Sequence, residues 1–355
     1  MKKHAIIPIF IPHKGCPNDC VFCNQRKITA RGNDVTADDI HKTVETYMST
    51  LGQMSVETIE LSFFGGSFTG IPLEEQSQYL QVAKEYKDKG IIDKIHLSTR
   101  PDYINKEILD NLKAYGVDVI ELGVQSLAEP VLKAAGRGHN ASCVYEASKL
   151  IKSYGFTLGI QLMVGLPEDT LEFDIFSAME TVKIAPQIAR LYPTVVIKDT
   201  ALWDMMECGA YQPMSEDDAV MRTARMYEIL TNAGINVIRV GLKSSDIISD
   251  ESNTAGTFHP AFRQLVEGFL AKESLEKQVN ILYSKDKDSS ADNQHDCPKV
   301  AFIANAKCYN NMFGHKACNK QYFEKEYTGL EIKYMVDKDA DLELADNQYL
   351  VKSLE

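Results

Sequence analysis

Short β-rich runs alternate with longer amphipathic stretches across the first two thirds of the sequence, and this rhythm constrains the fold more than any other feature. Strands separated by helices of such length are typical of repeated βαβ units, whose strands run parallel in one sheet. Six or more units in about 240 residues favour a complete or partial (β/α) barrel over an open sheet. The predicted strands are Ala5–Ile11, Thr58–Phe64, Lys94–Thr99, Val117–Val124, Thr157–Val164, Ala189–Val196 and Asn236–Val240.

After Ser244 the rhythm changes, and we predict a second, smaller domain. The stretch Lys285–Asp296 is almost entirely polar, which is typical of an exposed loop or linker. We therefore expect a barrel over residues 1–258, a helix, strand and polar linker over 259–296, and a small α+β domain over 297–355. The predicted elements after Ser244 are a polar segment at Asp246–Thr257, a helix at Pro260–Lys277, strands at Val279–Ser284, Lys299–Ala304 and Leu330–Val336, and a broken helical region at Lys307–Tyr327.

The composition is that of an ordinary globular protein, with 44% apolar and 25% charged residues. Nothing approaches the run of about 18 apolar residues that crosses a bilayer. Pro8 and Pro12 interrupt the N-terminal apolar stretch that resembles a signal peptide. The formal net charge of −12 argues against broad non-specific attraction to nucleic acid or to anionic membranes. We therefore expect a cytoplasmic protein with no membrane partner.

Three cysteines, Cys16, Cys20 and Cys23, lie close together in a C-x3-C-x2-C loop directly after the first predicted strand. Three thiolates at this spacing can hold three corners of a cuboidal iron–sulfur cluster, which leaves the fourth iron open for another ligand. The alternative is a structural zinc site, which needs four ligands and could recruit His13 as the fourth.

This loop, with Phe22 before its last cysteine, resembles the signature of radical S-adenosylmethionine (SAM) enzymes. Further segments are similar to the radical SAM domain of the Elongator catalytic subunit and, more distantly, to oxygen-independent coproporphyrinogen oxidase. The resemblance implies an α/β fold, a partial (β/α)6-type radical SAM barrel with a small C-terminal α+β domain. We expect no acetyltransferase domain, because no glycine-rich acetyl-CoA loop is recognisable. The similar segments are Phe63–Thr69, Leu97–Tyr103, Glu121–Ser126, Arg137–His139, Met163–Pro167 and Leu191–Thr194.

The resemblance implies two cofactors, a [4Fe–4S] cluster held by the three clustered cysteines and SAM on its open iron. It assigns Gly65 and Gly66 to the amino group of SAM, and residues without a Cβ permit the close backbone approach this needs. Ser67 stands where the family frequently has an acidic residue, so main-chain carbonyls would bind the amine there. Phe22 and Val164 are candidates to pack on the adenine, and each could equally be simple core.

Strand four places Glu121, Gly123 and Gln125 on one face, by the two-residue period of a strand. A polar face inside a barrel requires an occupant because unpaired buried polar groups are costly. We therefore assign Gln125 to the ribose hydroxyls of SAM. Arg137 could form a charge-assisted fork with the SAM carboxylate, or it could be an ordinary surface arginine. Two candidates on strand three share the corresponding face, Ser98 and Arg100.

Two residues around the end of strand six, Tyr192 and Lys198, are candidates for chemistry on the substrate. They are an even number of residues apart, so a continuous strand would point both the same way. At the carboxyl end of a barrel strand, Lys198 could anchor the SAM carboxylate or a substrate anion. Tyr192 could donate a hydrogen bond or a hydrogen atom. The alternatives are a solvent-exposed lysine and a tyrosine packed on a loop.

The resemblance implies reductive cleavage of SAM to a 5′-deoxyadenosyl radical, with electrons from an external donor of the flavodoxin or ferredoxin type. RNA, and tRNA in particular, is the leading substrate, because the Elongator-like barrel is followed by a segment, Phe313–Asn319, that resembles the glycine loop of a KH-type RNA-binding module. Ala317 replaces the second glycine of that loop. The alternatives are an enzyme acting on a small metabolite and a non-catalytic sensor that retains the cluster.

Overall fold

The computed structural model describes residues 2–11, 20–23, 35–52, 54–242, 252–289, 298–340 and 342–354. The chain divides into two compact units, Met1–Phe258 and His259–Glu355. None of the helices in these ranges is both long and apolar enough to cross a membrane.

The first unit is built on a seven-stranded sheet of order β1-β2-β3-β4-β5-β6-β8, in which every neighbouring pair runs parallel. The sheet curls into a half-barrel with helices on its outer face, so the predicted fold class is confirmed. Its strands are β1 (Lys2–Ile11), β2 (Val56–Gly65), β3 (Lys94–Thr99), β4 (Val119–Gln125), β5 (Thr157–Val164), β6 (Ile188–Pro193) and β8 (Asn236–Val240). Its helices are α1 (Ala37–Leu51), α2 (Leu73–Asp88), α3 (Lys106–Ala114), α4 (Glu129–Ala134), α5 (Ala141–Ser153), α6 (Leu171–Ile184), α7 (Ala201–Glu207) and α8 (Glu216–Asn232).

Alternation along each strand separates a helix-facing side from a lumen-facing side. Every second residue of β1 from Ala5 to Ile11 is at most 3% exposed, whereas the residues between them are half-buried or exposed. Because side chains of a strand alternate between its two faces, the apolar set packs against the helices and the other set faces the lumen. The lumen-facing positions of the other strands carry several buried polar residues, including Glu60, His96, Glu121 and Arg190.

Six helices of the first unit begin at polar residues whose side chains accept a backbone N–H from the first turn. Such caps typically contribute about 1 kcal/mol each. Each cap fixes the residue at which its helix begins. It therefore also fixes the last residue of the loop that precedes the helix. The capping residues are Thr36, Asn105, Asn140, Thr170, Thr200 and Ser215.

The predicted strand Ala189–Val196 is wrong at its end. Strand β6 stops at Pro193, and Thr194 donates both its amide (2.9 Å) and its hydroxyl (2.8 Å) to the carbonyl of Val164. Proline has no N–H with which to continue the ladder, so the chain leaves the sheet here. The next strand, β7 (Val195–Ile197), pairs antiparallel with β9 (Thr254–Gly256) in a separate two-stranded sheet.

The second unit combines a long helix with a three-stranded sheet of order β11-β10-β12. Strands β10 and β11 run parallel and β12 runs antiparallel to β10. A helix, a tight turn and a second helix connect β10 to β11, which is the order that the KH resemblance predicts. The elements are α9 (Phe262–Ser289), β10 (Lys299–Ala304), α10 (Tyr309–Phe313), α11 (Cys318–Glu326), β11 (Glu331–Val336) and β12 (Tyr349–Leu354).

The predicted strand at Val279–Ser284 is wrong, because α9 continues without a break to Ser289. Ala271, Leu275 and Val279 are fully buried at helical spacing, and they pack into the core of the second unit. The predicted linker at Lys285–Asp296 therefore begins inside the helix, and residues 290–296 lie outside the described residues. Of the predicted polar segment Asp246–Thr257, residues 246–251 are likewise outside them. Strand β12 was not predicted.

Candidate functional site

A cavity of about 160 Å³ lies at the carboxyl ends of strands β2 to β5, where loops and strand ends converge. Eight of the nine residues predicted to bind cofactor line it, together with two of the three predicted cysteine ligands. Barrel enzymes place their chemistry at this end of the strands. The lining residues are Cys20, Phe22, Cys23, Gly65, Gly66, Ser67, Ser98, Thr99, Arg100, Gly123, Gln125, Arg137 and Gln161.

The end of β2 brings main-chain atoms to the cavity wall. Gly65 has φ of +103°, a conformation that favours glycine. The amide of Gly66 donates to the carbonyl of Ile11 at 3.1 Å, which ties the end of β2 to the end of β1. Ser67 follows at 8% exposure. The glycine pair thus lies where the sequence predicts it, against the strand that leads into the cysteine loop.

Two arginines approach the sulfur of Cys20. Nη1 of Arg137 lies 3.2 Å from Sγ and Nη1 of Arg100 lies 3.9 Å from it. All three side chains are nearly buried, with exposures of 4 to 5%. The amide of Cys23 donates to the carbonyl of Cys20 at 2.9 Å, which closes a turn and brings both residues to the cavity. Iron binds to cysteine sulfur, so both guanidinium groups lie beside the atom that would hold a cluster.

Both guanidinium groups are held by further partners. Arg100 forms a two-pronged bond with Asp102, with Nε to Oδ1 and Nη2 to Oδ2 each 2.9 Å, and donates to the carbonyl of Arg137 at 2.5 Å. Arg137 in turn donates to the carbonyl of Gly123 through Nη2, and its guanidinium lies 5.9 Å from the ring centroid of Phe22. Arg137 is therefore a buried cation at the cavity wall, and the surface alternative is wrong.

Gln161 forms part of the cavity floor, and sequence reasoning missed it. Its Nε2 donates to Oγ of Ser98 at 3.3 Å and to the carboxylate of Glu121. An ionised carboxylate only accepts hydrogen bonds, so the NH₂ group must face Glu121, and Oε1 is left as an acceptor. Its place becomes visible only from the register of the folded sheet, in which Gln161 pairs with Gly123 on the lumen face already identified from β4.

A network of buried charges lies beneath Gln161. His96 bonds Glu60 through Nδ1 at 2.7 Å, and its Nε2 is 3.6 Å from Glu121, an ion-pair separation too long for a hydrogen bond. Arg190 donates to Glu121 from Nε at 2.8 Å. Burial alone would raise the pKa of Glu121, but Arg190 and His96 hold it at about 2. Burial alone would lower the pKa of His96, but Glu121 and Glu60 raise it to about 9.

Three predicted residues do not line the cavity: Val164, Tyr192 and Lys198. Val164 is fully buried on the helix-facing side of β5, which contradicts the expectation that it packs on the adenine. The predicted shared face of Tyr192 and Lys198 is also wrong, because the strand is interrupted between them. Tyr192 is half-buried on the lumen side beside Met163, and burial raises its pKa. Lys198 follows β7 and is exposed.

The remaining predicted metal ligands, Cys16 and His13, lie outside the described residues. Within the ranges that the structure covers, no three His, Cys, Asp or Glu side chains converge as a metal site. The described part nevertheless fits an anionic cluster with a ligand beside it. Cys20 has two buried guanidinium groups on its sulfur side, and a Cβ on Gly123 would lie only 3.1 Å from Gln125 Nε2, so glycine keeps that wall open.

Comparison with known families assigns the chain. A model described as the radical SAM superfamily matches residues 10–175, and one described as the radical SAM C-terminal domain matches residues 186–272, so together they cover more than half of the chain. The chain belongs to the radical SAM superfamily. It is therefore an enzyme, and its cofactors are a [4Fe–4S] cluster and SAM, as the sequence predicts. The cysteine loop of this radical SAM protein is therefore assigned to the iron–sulfur cluster and not to a structural zinc site.

Relatives of this radical SAM protein include Elongator proteins. Elongator complex protein 3 of Homo sapiens is 31% identical over 196 residues, covering 50% of this chain and 36% of that protein. The tRNA uridine(34) acetyltransferase of Methanocaldococcus infernus is 25% identical over 254 residues, covering 61% of this chain and 48% of that protein. This chain thus spans half or less of the length of these relatives. The solved M. infernus Elp3 lacking residues 1–46 shares the fold, with a TM-score of 0.60 at 21% identity over 77% of this chain and 64% of that one.

Proposed function

We propose that this radical SAM enzyme modifies RNA, with tRNA as its substrate class, and that it acts in the cytoplasm. The observation that carries the catalytic part is the cavity itself, where Cys20 and Cys23 meet the glycine pair of β2 and the polar ends of β3 to β5. When bound, the reduced cluster and SAM supply a 5′-deoxyadenosyl radical that takes a hydrogen atom from the substrate. The electron comes from an external flavodoxin- or ferredoxin-type donor.

The residues of the cavity have separate tasks in this proposal. Cys20 and Cys23 at the cavity hold the cluster together with Cys16, which lies outside the described residues. The main chain of Gly65 and Gly66 and beside Ser67 accepts hydrogen bonds from the amine of SAM. Arg137 is a buried cation with fixed partners, so it suits the carboxylate of SAM. The acceptor oxygens of Gln125 and Gln161, supported by Ser98, suit the ribose hydroxyls. Phe22 offers a ring at the cavity wall for the adenine.

The walls behind these polar groups exclude water. Ala128, Val131, Ala135 and Leu166 form a buried cluster against which Phe22 packs. A radical needs such a dry surrounding, because water and loose side chains divert reactive intermediates. Tyr192 is half-buried on the lumen side and stays our candidate hydrogen donor. The exposed Lys198 supports no catalytic role.

The RNA part of the proposal has two supports. Relatives that match half or more of this chain include a protein named as a tRNA uridine(34) acetyltransferase. The second unit has the strand–helix–turn–helix–strand order of a KH module, whose glycine loop clamps a nucleic-acid backbone. In this turn Gly314, Lys316 and Ala317 all have positive φ, at +72°, +50° and +62°. Ala317, at the second glycine position, thus adopts the left-handed conformation that glycine favours.

Binding of bulk tRNA at physiological salt tests the RNA part. We expect Lys316→Glu together with Lys320→Glu, at the exposed turn and the start of α11, to weaken binding at least tenfold and to lower the salt dependence, because both lysines would face phosphates. Lys352→Glu is the matched control. Lys352 is exposed on β12, which is the edge strand on the other side of β10 from β11. Equal affinity of both variants and the wild type would contradict the assignment of this turn.

Two other functions predict different results. An enzyme of small-molecule metabolism would cleave SAM without measurable affinity for tRNA. A cluster-bearing sensor would bind the cluster but form no 5′-deoxyadenosine under reducing conditions. The cavity supports an enzyme over a sensor, because Gly65, Gly66, Gln125 and Gln161 provide groups for a second ligand beside the cysteines.

A further inference from the structure

Arg100 joins three separate parts of the first unit at one buried point. It is 4% exposed and follows the last residue of β3. Its guanidinium bonds the Asp102 carboxylate through two N–H groups, the Arg137 carbonyl through Nη2, and the Cys20 sulfur through Nη1 at 3.9 Å. The planar fork of arginine can satisfy these partners in fixed directions, whereas a lysine ammonium would act as a single point charge.

The contact with Cys20 has an electrostatic consequence for anything the cysteine holds. An iron–sulfur cluster gains one negative charge when it accepts an electron. Hydrogen bonds and positive charge at its sulfur atoms stabilise that reduced state and raise the reduction potential. Because Arg100 and Cys20 are both buried, solvent screens their interaction little.

Asp102 opposes this effect. Its carboxylate oxygens lie 2.9 Å from two nitrogens of Arg100, and its side chain is 26% exposed. It fixes the guanidinium in place and at the same time offsets part of its charge. The two residues therefore should act on the cluster with opposite sign, which a purely structural clamp would not do.

We propose that the Arg100–Asp102 pair sets the reduction potential of the cluster through Cys20, with Arg100 raising it and Asp102 limiting the rise. Arg100 is then a positioning residue and not a SAM ligand. It also fixes the backbone of Arg137, whose own Nη1 is 3.2 Å from the same sulfur. The inference rests on the proposed cysteine ligation and does not depend on RNA as the substrate.

The test is a redox titration of the full chain, reconstituted with iron and sulfide under anaerobic conditions and measured without SAM. For Arg100→Gln we expect the ratio of reduced to oxidised cluster at a fixed potential to fall about tenfold, a shift of about 59 mV to lower potential. For Asp102→Asn we expect a shift in the opposite direction. Lys106→Gln, an exposed charge removal in the first turn of α3, should leave the potential unchanged.

Iron content and the reduction potentials of the variants separate this inference from its alternatives. If Arg100→Gln fails to take up iron, Arg100→Lys and Asp102→Asn provide the test. Because Arg100→Lys keeps the charge, it should change the ratio of reduced to oxidised cluster by less than tenfold. Unchanged potentials in iron-loaded Arg100 and Asp102 variants would overturn the inference. Shifts of the same sign in both would overturn it as well. A wild type that binds no cluster would instead contradict the proposed function.

Discussion

At the scale of single residues, Glu121 determines what the cavity floor can bind. It is fully buried and ionised, and it accepts hydrogen bonds from Gln161 and Arg190. Because the Gln161 amide group must face it, the oxygen of that side chain is presented to a ligand. A hydrogen-bond donor, such as a hydroxyl, is therefore the group that fits this part of the floor.

We predict that His96 makes the stability of the first unit dependent on pH. Its pKa rises from 6.5 unfolded to about 9 in the folded chain, so its contribution is fully present below pH 6.5 and is lost as the pH rises through 9. At about 1.4 kcal/mol per pKa unit, the contribution is about 3 kcal/mol. Between pH 6.5 and 9.5 the wild type should lose about that much more stability than His96→Gln loses.

Urea unfolding at several pH values measures this dependence. Trp203 in α7 is the only tryptophan of the chain, so its fluorescence reports on the first unit alone. His41→Gln is the control. It also removes a hydrogen-bonded imidazole ring, but the partner of that ring is the Tyr86 hydroxyl, at 2.9 Å, and not a carboxylate. Parallel loss of stability in the wild type and His96→Gln would show that His96 is not charged in the folded state.

Some residues of the site can be predicted from the sequence and others cannot. The lumen face of β4 and the positions of Ser98 and Arg100 followed from the two-residue period of a strand. The same period failed for Lys198, because it holds only within an unbroken strand and Pro193 ends β6. Gln161 was missed because the face of β5 depends on its register with Gly123, and register is a long-range property that the local sequence does not contain.

At the scale of elements, close packing between β4, β5 and β6 depends on Gly159. A Cβ at this position would lie 2.9 Å from Cγ of Glu121 and 2.9 Å from Cγ1 of Ile188. We predict that Gly159→Ala destabilises the first unit by about 1–3 kcal/mol, since overpacking forces neighbouring strands to shift. Thr157→Ala, on the same strand, should cost about 1 kcal/mol or less.

The free energy of unfolding from the same urea experiment, followed by Trp203 fluorescence, checks this prediction. A Gly159→Ala protein as stable as Thr157→Ala would mean that β4 and β6 can move apart freely.

Elements differ in how well the sequence predicts them. The strands of the half-barrel are buried β-rich runs bounded by helices, so the local sequence predicts all seven. The segment Val279–Ser284 has a similar apolar composition, and a short run of this kind fits a strand or a buried helix equally well. Helical spacing from Ala271 through Leu275 to Val279 was the signal that distinguishes them.

At the scale of the whole molecule, the proposed catalytic site and the proposed RNA-binding turn lie in different compact units. The first contains the cavity with the cysteines, and the second contains the KH-like turn at Gly314–Ala317. The family models match residues 10–175 and 186–272, so most of the second unit lies beyond them. The catalytic proposal therefore draws on family membership, whereas the RNA proposal draws on the topology of the second unit and on a relative named as a tRNA uridine(34) acetyltransferase.

The most direct test of the account is SAM cleavage by the anaerobically reconstituted full chain under reducing conditions. We predict about four irons per wild-type chain and formation of 5′-deoxyadenosine together with methionine. Cys143→Ala, at a half-buried thiol on α5, should retain both properties. The triple variant Cys16→Ala, Cys20→Ala and Cys23→Ala should lose both the iron and the cleavage. A triple variant that still binds iron and still produces 5′-deoxyadenosine would contradict the central claim that these cysteines hold the catalytic cluster.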